Sequence, residues 1–142
     1  MGALATACDL ECNTLMSERA KYDIRVNART TYLPDQSDEG AGRYVFAYTI
    51  TITNAGTIPA QLISRHWIIT DANERAQEVR GLGVVGEQPL LKPAESFEYT
   101  SGTAIATGVG TMRGTYQMVA EDGHKFDAPI PEFTLSIPRV LH

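Results

Sequence analysis

This 142-residue sequence is poor in the groups that most often carry chemistry. It has two cysteines, Cys8 and Cys12, and both fall in the opening stretch CDLEC. None is left for the remainder, so no disulfide framework can staple it, as expected for a reducing cytoplasm. Two thiols at that spacing without neighbouring histidines make at most half a zinc site, so no metal centre is expected. No run of about 18 apolar residues occurs, so no membrane-spanning helix is expected. The stretch LATAC lacks the basic start and long apolar segment of a secretion signal. Cations are scarce as well: 12 Lys and Arg stand against 17 Asp and Glu, a net charge of −5. That balance argues against general attraction to nucleic acid or to an anionic membrane, which needs clustered Lys and Arg.

What is present is a two-residue period. In YDIRVNARTTYL, Tyr22, Ile24, Val26 and Ala28 fall on one side, and Asp23, Arg25, Asn27 and Arg29 on the other, which predicts a strand with one wet face. RYVFAYTITITN alternates in the same way and is dense in β-branched and aromatic residues. AQLISRHWIITD predicts a third strand carrying Trp67, and DANE a turn, because Asp and Asn tolerate left-handed backbone. RAQEVR reads as a short return strand, ESFEYTSGT and GTMRGTYQMVAED as two more, and Asp122-Gly123 as a hairpin corner. HKFDAPIPEFTLSIP supplies a last strand or pair of strands, with Pro129 and Pro131 interrupting the ladder or lying at an edge.

About seven or eight strands without an amphipathic helix between them predict an all-β fold. The expected form is an antiparallel two-sheet β-sandwich, immunoglobulin-like or fibronectin type III-like, with a closed barrel as the alternative. Trp67 on the third strand should centre the core, and the missing flanking cysteines favour the fibronectin type III variant. Residues 1–15 lack apolar periodicity and are expected to be a disordered N-terminal extension, leaving residues 16–142 as a single domain.

One stretch bears on function. EVRGLGVVGEQPLLKP contains Gly81-x-Gly83-x-x-Gly86, a spacing that cradles pyrophosphate in many nucleotide-binding proteins. The usual contexts fail: Pro89 and Pro93 leave no room for the helix whose N-terminus would hold the phosphate. Glu87 stands where a P-loop has lysine. A nest of backbone N–H groups could still bind an anion, helped by Arg80 and Lys92. The plainer expectation is a wide connection crossing between the sheets, its glycines supplying positive φ. A protein-contact loop is the third reading.

Other candidates are thinner. His66 should face away from Trp67 and has no evident partner for general-base work. Ser64 and Ser101 lack a nucleophile-elbow sequence. Asp35, Asp38 and Glu39 form an acidic loop. No catalytic set, cofactor or metal site is expected, and the chain is not expected to be an enzyme.

YVFAYTITITN, AQLISRHWIITDANE, EVRGLGVVGEQPLLKPAESFEYTSG and GTMRGTYQMV together resemble the bacterial ApaG family, over about Tyr22 to His142. The resemblance implies a fibronectin type III-like sandwich. It implies that Gly81, Gly83 and Gly86 form the family's glycine signature, discussed as a pyrophosphate or nucleotide contact. It also implies a protein-interaction role with an unidentified protein partner, and an indirect link to magnesium and cobalt sensitivity.

Overall fold

A computed structural model describes residues 20–138. The expected disordered extension at 1–15 lies outside these described residues. The chain runs through β1 (Ile24–Tyr32), β2 (Tyr44–Asn54), β3 (Ala60–Asp71), β4 (Ala76–Leu82), β5 (Leu90–Leu91), β6 (Ser96–Ile105), β7 (Val109–Ala120) and β8 (Lys125–Ser136). The only helical pieces among the described residues are three 3-10 turns of three residues each. Two of them sit in PDQSDEGAG, where Asp38 accepts the N–H of Ala41 and Gly42 ends the turn in left-handed conformation.

Two antiparallel sheets form. One is ordered β1-β2-β6; the other is ordered β4-β3-β7-β8, with β5 also paired to β3. The fourth strand therefore joins the third, not the first sheet, which separates a fibronectin type III-like sandwich from a constant-type immunoglobulin one. Period-two alternation sends Phe46, Tyr48, Ile50 and Ile52 of β2 inward, against Trp67, Met112, Tyr116 and Leu135 of the facing sheet. Trp67 is buried at the centre, edge-on to the rings of Tyr48, Tyr116 and Phe133 at 5.5, 6.2 and 5.8 Å. On the outer side of β2, Thr49, Thr51 and Thr53 bond across to Thr100, Glu98 and Ser96 of β6.

Three local readings are refined. The last segment is a single strand, not a pair. Its prolines are accommodated because β8 is an edge strand, and the register shifts where Pro131 and Glu132 stand opposite Arg113. In the DANE turn the positive φ falls on Glu74 (63°), while Asp71 shapes the corner by accepting the N–H groups of Asn73 and Arg75. The glycine stretch does not cross between sheets: β4 and β5, on either side of it, lie along the same edge of β3. The crossing is made later, by the turn at residues 92–95.

Candidate functional site: the glycine hairpin on the edge of β3

After Leu82 the chain leaves the β3 edge, turns back at once and rejoins it at Pro89. The N–H of Gly83 donates to the carbonyl of Ile63 at 2.8 Å, and the N–H of Leu62 donates to Pro89 at 3.0 Å. Between these points Val84 and Glu87 exchange two backbone hydrogen bonds, of 2.8 and 2.9 Å. The two corner residues, Val85 and Gly86, have φ of 44° and 81°. That is the signature of a two-residue type I′ hairpin, whose twist matches that of paired strands. Two side chains stitch the base, with Gln88 Nε2 donating to Ile63 O and Gln61 Nε2 to Gln88 O. Val84 points inward and is fully buried, so the hairpin is anchored in the core.

Each glycine has a separate reason. Gly83 combines φ of 64° with a close approach: a Cβ there would lie 2.3 Å from the carbonyl oxygen of Glu87. Gly81 is opposite Arg65 in the ladder, and a Cβ would meet the guanidinium at 2.8 to 2.9 Å. Gly86 has open space around it and is required by its φ alone.

The cation that serves this loop is Arg65, which the sequence reading overlooked. Its Nη1 donates to the carbonyls of Leu82 at 3.1 Å and Gly83 at 2.9 Å, so its charge is spent on the hairpin base. Arg80 lies on the outer face of β4, with Nη2 3.5 Å from Glu78. Lys92 is in the next connection, where its N–H donates to Glu95 Oε1 at 2.8 Å. Its neighbour Leu91 pairs with Ala60, whereas Gly83 bonds Ile63, three residues further along β3 and roughly 10 Å away at strand rise. The three glycines are thus gathered in one hairpin, while the two predicted cations are not brought together. The N–H groups of Gly83, Val84 and Glu87 are engaged within the chain; those of Val85 and Gly86 have no partner among the described residues.

His66 faces away from Trp67, as expected, but it has a partner: Glu78 Oε2 lies 3.3 Å from its Nε2. Sequence alone could not supply this pair, because it depends on the β3–β4 register. Ser64 lies on the same outer face, yet its hydroxyl donates to Gln117 Oε1 at 2.7 Å. Of the acidic loop, Asp38 caps its own turn and Glu39 accepts the hydroxyl of Tyr32, whose pKa that bond raises. No cluster of three or more metal-ligating side chains occurs among the described residues. No helix among them is long and apolar enough to cross a membrane.

The remaining feature is apolar. Leu82, Val85 and Leu90 are 75, 56 and 56% exposed, at the base, corner and return of the hairpin. Leu82 and Leu90 share the outer face, since their neighbours Gly83 and Leu91 are buried. Binary patterning could not separate these residues from core valines and leucines; the exposed Val85 follows directly after the buried Val84.

Comparison with known proteins fixes the family. A profile of the ApaG domain matches residues 34–120. The chain belongs to the ApaG family. It is 69% identical over 127 residues to Protein ApaG of Nitrosospira multiformis, spanning 89% of this chain and the whole of that protein. The figures for Protein ApaG of Thiobacillus denitrificans are the same. A crystal structure of a protein from Bordetella pertussis described as ApaA superposes with a TM-score of 0.81 at 61% identity, covering 84% of this chain and 97% of that one. The glycine hairpin, at 81–87, lies within the matched ApaG domain.

Proposed function

We propose that this ApaG chain is a non-enzymatic protein-interaction module that receives its partner on the apolar hairpin spanning Leu82 to Leu90. The observation that carries this reading is Val85. A β-branched residue at positive φ is strained where Gly or Asn would rest easily, and its side chain is turned to solvent. Strain at an exposed position, with two further exposed leucines beside it, fits a contact made by Val85 with something outside the chain. The rest of the hairpin is held rigidly by Val84, Arg65 and Gln88, so the contact residues are pre-organised.

The test is affinity capture from an extract of the source cell with wild-type protein and with a Val85→Asp, Leu90→Asp double variant. Proteins retained by the wild type should be lost from the variant while its thermal midpoint stays close to wild type. An identical retained set would refute the reading.

A second reading, pyrophosphate or nucleotide binding, draws on the unengaged N–H groups of Val85 and Gly86 and the open space at Gly86. It would enlist Arg80 and Lys92. Three of the loop's other N–H groups are already committed inside the chain, which is why a protein contact is the preferred function. Magnesium and cobalt sensitivity is, on the preferred reading, an indirect consequence of losing the partner. A cytoplasmic location fits a sequence with no cysteine after Cys12, which leaves none to staple the sandwich by a disulfide.

A further inference from the structure

The backbone of β4 holds information beyond its hairpin. At one end Asp71 N donates to Arg75 O, and at the other Gly83 N donates to Ile63 O. The register between them is unbroken from Thr70–Ala76 to Ser64–Leu82. Antiparallel pairs alternate between hydrogen-bonded and non-bonded, so residues 75, 77, 79, 81 and 83 turn their N–H and C=O groups toward β3. Ala76, Glu78, Arg80 and Leu82 then turn theirs to the open edge. Six of the seven β4 residues are exposed, and among the described residues β3 is the only strand paired with it.

The other edges are guarded. The outermost strand β8 carries Pro129 and Pro131, the free edge of β6 is touched by Gln77 Nε2 on Ala104 O at 3.4 Å, and β1 lies against β8, with Thr30 Oγ1 donating to Thr134 O at 3.4 Å. β4 is different, because its charges are self-complementary. In an antiparallel pairing of β4 with the β4 of a second copy, outward-facing residues must meet outward-facing residues. The register that engages all four sets Glu78 opposite the second Arg80 and Arg80 opposite the second Glu78. It sets Ala76 opposite Leu82, and places the twofold axis between the two Val79 side chains. Sliding by one step either way brings Glu78 against Glu78 or Arg80 against Arg80, so charge selects one register.

We infer that β4 is a homodimerisation edge, joining two copies of this chain by an isologous antiparallel β4–β4 pairing centred on Val79 into one continuous sheet across both sandwiches. This surface shares Leu82 with the proposed partner site but leaves the Val85 tip clear, and the two hairpins project from opposite ends of the seam. One short strand per copy makes a small interface, so the dimer belongs to the weak, concentration-dependent class.

Sedimentation velocity from about 10 to 500 μM tests it, that range being chosen for a weak interface. Wild type should shift from monomer to dimer as concentration rises. Arg80→Glu and Glu78→Arg should each weaken the dimer by about tenfold or more, having like charges opposed. The Glu78→Arg, Arg80→Glu double swap should restore it to within about threefold, since the opposite charges face each other again. Near-UV circular dichroism of Trp67 checks that each variant is folded. A readout independent of charge comes from Val79→Cys in a Cys8→Ser, Cys12→Ser background. The paired positions would be about 4.5 Å apart between Cα atoms, close enough for a disulfide. That chain should cross-link on oxidation faster than a Val109→Cys control at another exposed valine. A wild type that stays monomeric throughout, a double swap as weak as the single variants, or equal cross-linking at 79 and 109 would overturn the inference.

Discussion

Gly83, Val85 and Gly86 stand within four residues of one another and make three different demands on the backbone. Replacing Gly86 with Ala adds only left-handed strain, about 1–2 kcal/mol, because nothing lies near the new methyl group. Replacing Gly83 with Ala adds the same strain together with a collision 2.3 Å from Glu87 O, and should cost at least about twice as much. Val85→Asn should move the other way, stabilising by about 1 kcal/mol, since Asn-Gly is the preferred type I′ corner. Urea denaturation of the three variants checks the order, and equal costs at 83 and 86 would show that the close approach is absent. If Val85→Asn also loses the captured partner, the strain at 85 is tied to function.

At the scale of elements, the 3-10 turn Ala20–Tyr22 is fastened to the β7–β8 hairpin. Lys21 Nζ lies 3.2 Å from Asp122, the hydroxyl of Tyr22 donates to the same carboxylate, and the Tyr22 ring stacks on His124 at 4.2 Å. The Tyr22 hydroxyl first, then the His124 backbone N–H and Lys21, hold the Asp122 carboxyl down to about 2 from an ordinary 3.8. A depressed carboxyl contributes stability that is complete above its unfolded pKa and fades as pH falls through the folded one. The clasp should therefore hold above about pH 4 and loosen toward pH 2, and Asp122→Asn should flatten that part of the stability profile. An unchanged acid limb between pH 4 and 2 would show that Asp122 does not carry it.

Such elements were largely legible in the sequence because alternation is a local signal. The outer threonines of β2, the inward Phe46 and Ile52 and the Asp122-Gly123 corner can all be read within a few residues. What escaped is what register decides. Nothing local says that Arg65 will lie over Gly81, that Glu78 will meet His66, or that Gly81, Gly83 and Gly86 will serve a hairpin on one strand edge. Asn54, the one buried polar residue of the core among the described residues, was missed for the same reason. Its amide donates to Ile58 O and Leu91 O and accepts from Gly56, partners up to 37 positions away.

For the whole molecule, the two sheets are joined by packing and by buried polar contacts, the Asn54 amide on Leu91 O and a pair of tyrosines. The hydroxyls of Tyr99 on β6 and Tyr116 on β7 meet at 2.6 Å across the core. Burial raises the pKa of both, so each remains a neutral phenol that can donate to or accept from the other. Tyr116→Phe strands a buried hydroxyl and should cost about 1–3 kcal/mol. The Tyr99→Phe, Tyr116→Phe pair should cost less than the sum of the single changes. Additive effects in denaturant melts would mean that the hydroxyls do not bond.

The three glycines build an internally bonded hairpin, and on the proposed reading its exposed tip meets a protein and not a phosphate. Amide hydrogen exchange across residues 81–87, with and without millimolar pyrophosphate, tests it most directly. Slow exchange is expected at Gly83, Val84 and Glu87, fast exchange at Val85 and Gly86, and no change on adding pyrophosphate. Fast exchange at Gly83, Val84 and Glu87 that pyrophosphate slows would contradict it.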